Sequence, residues 1–92
     1  GTLSGNPIAM AAGLKTLELI KKPGFHASLE KKLQYLTAEL TKIASANRIP
    51  FYSSYVGGMF GMFFSSIQIE NYQQAQKMDT KTFNHFFHAM LQ

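Results

Sequence analysis

A run of apolar residues at helical spacing, set in the first half of the chain, constrains the fold most. Leu29, Leu33, Leu36, Leu40 and Ile43 step by four, three, four and three. That spacing returns each side chain to one narrow seam of an α-helix. Glu30, Lys31, Lys32, Glu39 and Lys42 fall off the seam and solvate the opposite face. A helix is therefore expected over Phe25 to Ala46, with Asn47 as its stop. Fewer than the three to four heptads of a coiled coil are present, so the seam reads as core-facing rather than as a partner site. Whatever the chain folds into must offer this seam something to cover.

Later residues supply the cover. Gly57-Gly58 is a turn signal between two strand-like runs. The first runs from Ile49 to Tyr55, with Pro50 at its start, where a strand tolerates a missing N–H. The second runs from Met59 to Ile69 and is rich in Phe and Ile. Together they predict an antiparallel hairpin. Gly58 and Gly61 match no phosphate-cradling motif, and Gly in a strand more often marks a bulge or a close backbone approach. Asn71 is expected to cap a short helix from Tyr72 to Lys77. Asp79 or Thr80 is expected to cap a last helix running to Gln92. Its residues Phe83, Phe86, Phe87, Met90 and Leu91 lie at i, i+3, i+4, i+7 and i+8, a core face. An isolated hairpin is marginal in water, so both longer helices must cover it. The expected fold class is α+β: a two-layer sandwich, a small antiparallel sheet covered by helices and preceded by a long N-terminal helix. A further strand is expected after Gln92, since without it a Phe-bearing sheet edge stays open.

That first helix is expected from Pro7 to Lys21. Met10, Leu14, Leu17 and Ile20 form a stripe, while Ala9, Ala11, Ala12 and Gly13 are small and would admit a close neighbouring backbone. Lys21 and Lys22 suit its C-terminal end, and Pro23-Gly24 stops it. Before it lies Gly1-Thr2-Leu3-Ser4-Gly5-Asn6-Pro7. Asn6 can cap the helix and Pro7 can occupy its first position. Backbone N–H groups and hydroxyls at such a junction can also bind an anion such as phosphate. The local pattern favours the plain helix start.

Composition narrows the function classes. Of 92 residues, 46% are hydrophobic and 15% charged, which suits one small globular domain and excludes a disordered tail. The net charge of +4 comes from nine scattered Lys and Arg, with pairs only at Lys21-Lys22 and Lys31-Lys32, so no basic stripe suggests nucleic acid. There is no cysteine, hence no disulfide or thiolate metal site. No apolar run approaches the ~20 residues of a membrane span. His85 and His88 are i, i+3 neighbours with no further ligand nearby, so no metal is expected. No paired carboxylates or nucleophile with a base form a catalytic constellation.

The segment from Gly1 to Leu14 resembles a signature of the glutamate-1-semialdehyde 2,1-aminomutases, pyridoxal-phosphate enzymes of the class III aminotransferase family. Two further blocks agree: Gly57-Gly58-Met59-Phe60-Gly61-Met62-Phe63-Phe64, then Asn71-Tyr72 with Ala75, Asp79, Phe83, Phe86-Phe87 and Met90-Leu91. The three blocks keep the family's order and cover nearly the whole chain.

The resemblance implies a C-terminal fragment. Residues 1–23 would end the large cofactor-binding domain, and 24–92 would form part of the small C-terminal domain. It implies conversion of glutamate 1-semialdehyde to 5-aminolevulinate in tetrapyrrole biosynthesis, by a homodimer in the cytoplasm, or in the plastid of a plant. It implies that the matching Gly1 and Thr2 hold the cofactor phosphate of the neighbouring subunit. The Schiff-base lysine would lie upstream, so Lys15, Lys21 and Lys22 do not take its role. No residue of the chain is expected to be catalytic, and the chain alone is expected neither to bind pyridoxal phosphate specifically nor to be active. Two alternatives remain: another class III aminotransferase, or a free-standing, non-enzymatic α+β interaction module using its open sheet edge.

Overall fold

The computed structural model describes residues 1–92 and has an α+β fold. Its elements are α1 (Pro7–Ile20), α2 (Phe25–Ala46), β1 (Tyr52–Val56), β2 (Met59–Phe63), α3 (Tyr72–Ala75) and α4 (Thr80–Met90). The two strands form one antiparallel hairpin with Val56 opposite Met59 and Tyr52 opposite Phe63. Of the two turn residues, only Gly57 has positive φ (57°), the requirement of a type II′ turn. Its partner Gly58 serves a different need. A Cβ there would lie 2.5 Å from Leu29 Cδ2, so glycine lets the hairpin tip approach α2.

Both strands are shorter than the sequence suggests. The turn pins the register, so pairing before Tyr52 would require a partner beyond Phe63. The chain leaves the sheet there: the Ser65 N–H donates to the Phe63 carbonyl (3.1 Å), and Ser65 Oγ accepts from the Ile67 N–H (3.2 Å). Ile49 to Phe51 and Phe64 to Ile69 are therefore outside the strands. Helix ends differ less: α1 stops at Ile20, α3 at Ala75 and α4 at Met90, one to two residues before the expected limits.

The core is small. Leu33, Thr37 and Ala44 are the buried residues, all on α2, which packs against β1. This face is turned from the one the leucine seam marks. Leu33 is 7% exposed, but Leu36 is 41% and Ile43 59%. The spacing identified the helix and its apolar side. The position of β1 selected one flank of that side and left the other in solvent. Thr37 tolerates burial because its hydroxyl donates to the Leu33 carbonyl at 2.9 Å.

Caps set the helix ends. At the end of α2 the Ile49 N–H reaches the Ala44 carbonyl (2.9 Å) and the Arg48 N–H the Ser45 carbonyl (3.1 Å), a Schellman motif. Asn47 ends the helix as expected, its Nδ2 donating to the Ile43 carbonyl at 2.8 Å. The left-handed residue is Arg48 (φ 55°), a position that glycine would occupy with less strain.

α4 docks through aromatic rings. Phe64 lies 6.0 Å from Phe51, 6.5 Å from Phe83 and 5.8 Å from Phe86, ring centroid to centroid. The Asp79 N–H donates to the Phe64 carbonyl at 3.0 Å, fixing the start of α4 beside the end of β2. Asp79 caps the helix. Its Oδ2 accepts from the Thr82 hydroxyl at 2.7 Å, and Oδ1 accepts the Thr82 and Lys81 N–H groups at 3.1 Å each. These bonds, the Thr82 hydroxyl foremost, hold its carboxyl below the usual carboxylate range. No helix is long and apolar enough to cross a membrane.

Candidate functional site

The sequence places its one candidate site in Gly1 to Pro7, and the structure divides that stretch in two. The helix start proper is closed. Asn6 Oδ1 accepts the N–H groups of Ile8 (3.0 Å) and Ala9 (3.2 Å), and the Asn6 carbonyl accepts that of Met10 (2.9 Å). Pro7 has no N–H to offer. Every first-turn donor is satisfied, so the helix end itself has no amide left for an anion. The α1 terminus is the plain helix start that the local pattern favours, with Asn6 as its cap.

The preceding turn is open. The Ser4 N–H donates to the Gly1 carbonyl (3.1 Å), the Asn6 N–H to the Leu3 carbonyl (3.2 Å), and the Gly1 nitrogen to Ser4 Oγ (3.0 Å). Gly5 turns the chain into the helix with φ 75°. These bonds leave the N–H groups of Thr2 and Leu3 and the Thr2 hydroxyl without partners, and the whole turn is solvent-exposed. Gly1 and Thr2, the two predicted site residues, thus lie together in the open half of the junction. A phosphate oxygen could accept from this donor set through charge-assisted hydrogen bonds. The hydrogen bonds of this turn all stay within it or reach the first residues of α1, and none joins it to α2, the hairpin or α4.

Sequence reasoning passed over a second polar junction, at the start of α2. Gly24 precedes the helix with φ 82° and provides no capping side chain. The Phe25 N–H bonds to the Lys22 carbonyl and that of Ser28 to the Gly24 carbonyl, while His26 and Ala27 amides have no acceptor. A hollow of about 420 Å³ beside them is bordered by Leu19, Lys22, Phe25, Ser28, Leu29 and Lys32. The signal was legible: a glycine, with no side-chain oxygen to accept an amide N–H, stands where Ser, Asp or Asn usually caps.

On α4, Lys81, Asn84, His85 and His88 border a shallow exposed hollow of about 270 Å³. No group of three or more His, Cys, Asp or Glu side chains assembles there or elsewhere. Asp79 is the one carboxyl held below its ordinary range, and its partners are those of a helix cap rather than of a reacting group. A search of protein-family models finds no match to this chain.

Proposed function

We propose that this chain is part of a pyridoxal-phosphate-dependent glutamate-1-semialdehyde 2,1-aminomutase, a class III aminotransferase relative that converts glutamate 1-semialdehyde to 5-aminolevulinate for tetrapyrrole synthesis. The single observation that carries the reading is the presence, in the family's order, of three sequence blocks, Gly1 to Leu14, Gly57 to Phe64 and Asn71 to Leu91. The donor set of the first block supports it. Thr2 has a free hydroxyl and a free N–H, and the Leu3 N–H next to them is free as well.

On this reading residues 1–23 end a large cofactor-binding domain and 24–92 belong to the small C-terminal domain. Gly1 and Thr2 hold the cofactor phosphate of the neighbouring subunit in a cytoplasmic or plastid homodimer. Bound pyridoxal phosphate supplies the electron sink that amino-group migration requires. The residues of this chain bind and orient. Thr2 Oγ1 and the Thr2 and Leu3 amides donate to phosphate oxygens. Asn6 closes the helix end, so that phosphate is held by the turn and not by the first turn of α1. Gly5, at positive φ, sets the angle between the two. No residue of this chain is assigned a proton-transfer role on this reading.

The test begins with the reading frame that encodes these residues. A lysine flanked by small residues upstream of Gly1, trapped by borohydride as a stoichiometric cofactor adduct, is the expected result for the whole enzyme. The 92-residue chain should give no such adduct. Thr2→Val in the whole enzyme should weaken cofactor retention about tenfold, the loss of one charge-assisted bond, while its melting temperature without cofactor stays unchanged. Unaltered retention sinks the assignment of Thr2.

A further inference from the structure

α4 has two faces, and only one of them is committed to the fold. At about 100° per residue, Phe83, Phe86, Phe87 and Met90 share one sector of the helix, and Lys81, Asn84, His85 and His88 share the opposite one. Phe83 and Phe86 stand against the Phe64 ring and hold the helix beside the end of β2. The four residues of the opposite sector are exposed and together border the hollow of about 270 Å³. The side-chain hydrogen bonds at the start of α4 belong to Asp79 and Thr82 and leave both imidazoles free. The His88 ring stands edge-on to Phe87, with centroids 5.6 Å apart, which limits its swing.

Side chains three residues apart on a helix have Cβ atoms about 5–6 Å from each other, and helix-borne ligands at this spacing share one ion in carboxylate-bridged metal bundles. No third ligand completes a closed centre here. Two imidazoles on one hollow leave an open chelate instead. The donor set selects the ion. Imidazole nitrogen suits Cu²⁺, Ni²⁺ and Zn²⁺, whereas Mg²⁺ and Ca²⁺ require oxygen ligands. Asp79, the carboxylate nearest in sequence, is taken up by the helix cap and does not border the hollow. With two nitrogens and water at the remaining positions, no four-ligand cage imposes the tetrahedron that favours Zn²⁺, and the ordinary order of divalent affinities puts Cu²⁺ first.

We infer that His85 and His88 form an open two-nitrogen chelate for a divalent late transition-metal ion, Cu²⁺ before Ni²⁺ and Zn²⁺, on the outer face of α4. Lys81 borders the same hollow, and its ammonium opposes the ion. The affinity is therefore that of a surface chelate and not of a structural centre. The third histidine, His26, lies on α2 with its ring against Phe25, and no second histidine accompanies it on that helix. The chelate is independent of the aminomutase reading, which gives the outer face of α4 no role.

Titration of the chain with copper(II) chloride, read by calorimetry and by electron paramagnetic resonance, tests this. The amino terminus of Gly1 also binds Cu²⁺, so an N-terminally acetylated chain is used. One Cu²⁺ per chain should bind in the micromolar range, with the nitrogen hyperfine pattern of two imidazoles, and Ni²⁺ and Zn²⁺ should bind more weakly. His85→Gln and His88→Gln should each weaken binding by about tenfold or more, because a chelate loses one of its two ligands. Both variants should keep the circular dichroism of the parent, since neither side chain is buried. His26→Gln should change nothing, and Lys81→Gln should tighten binding by about twofold as the opposing charge is removed. Four outcomes overturn the inference: no saturable Cu²⁺ binding below millimolar concentration, full affinity retained after either His85→Gln or His88→Gln, loss of binding with His26→Gln, or one ion shared between two chains by light scattering.

Discussion

α1 and α2 make an instructive pair. α1 is the more apolar, with two charged residues in its 14, and it buries none of them. α2 carries five charged residues in 22 and contributes every buried residue of the chain. Burial here is decided by what stands opposite a helix, not by how hydrophobic the helix is. α2 has β1 against one flank, and Leu29 meets the hairpin tip at Gly58. α1 has only the corner with α2 at its C-terminal end. The overall dimensions follow: a radius of gyration of 17.9 Å, against about 12 Å for a compact chain of this length.

The contrast can be broken most directly by truncating one leucine in each helix. Leu33→Ala should destabilise the fold by about 3 kcal/mol, since a buried side chain leaves a cavity under β1. Leu14→Ala, on the open arc of α1, should change stability by no more than about 0.5 kcal/mol. Urea unfolding measures both, and equal effects would erase the distinction. Phe64→Ala should come next, at about 2 kcal/mol, because the ring is only partly enclosed. Exchange should then accelerate in α4 and leave α2 unchanged, which separates the aromatic anchor from the α2–β1 core.

Smaller effects sharpen the comparison at the helix ends. Arg48→Gly should stabilise the chain by about 0.5–1 kcal/mol by relieving the left-handed residue of the Schellman motif. Denaturant midpoints of the two proteins decide it. The pH dependence of α4 should be smallest. The Asp79 carboxyl is held below its unfolded-state value by Thr82 and Lys81. A depressed carboxylate stabilises the fold above the unfolded pKa of about 3.9 and loses that contribution as pH falls through the folded value. Amide protection at the start of α4 should therefore weaken on acidification through that range. Asp79→Asn keeps the cap and should remove the dependence.

The candidate site was legible only in part. Gly1 and Thr2 stand out as residue types, but whether their donors are free depends on which acceptors the turn places nearby. Asn6 illustrates the limit. The sequence marks it as a cap and cannot show that its single Oδ1 accepts both available amides and so closes the helix end to an anion. Gly24 is the converse, a glycine read only as a helix stop that leaves two amides of α2 open.

By itself the sequence determined the order of elements, the two-residue turn that fixes the register, and the caps Asn6 and Asn71, and it narrowed the cap of α4 to Asp79 or Thr80, of which the structure uses Asp79. All of these depend on contacts within about four residues, where spacing is geometry. Tertiary structure decided which flank of the leucine seam is buried, where the strands end and which ring anchors α4. Those outcomes depend on what packs opposite each element, and a local pattern marks an apolar side without naming its neighbour.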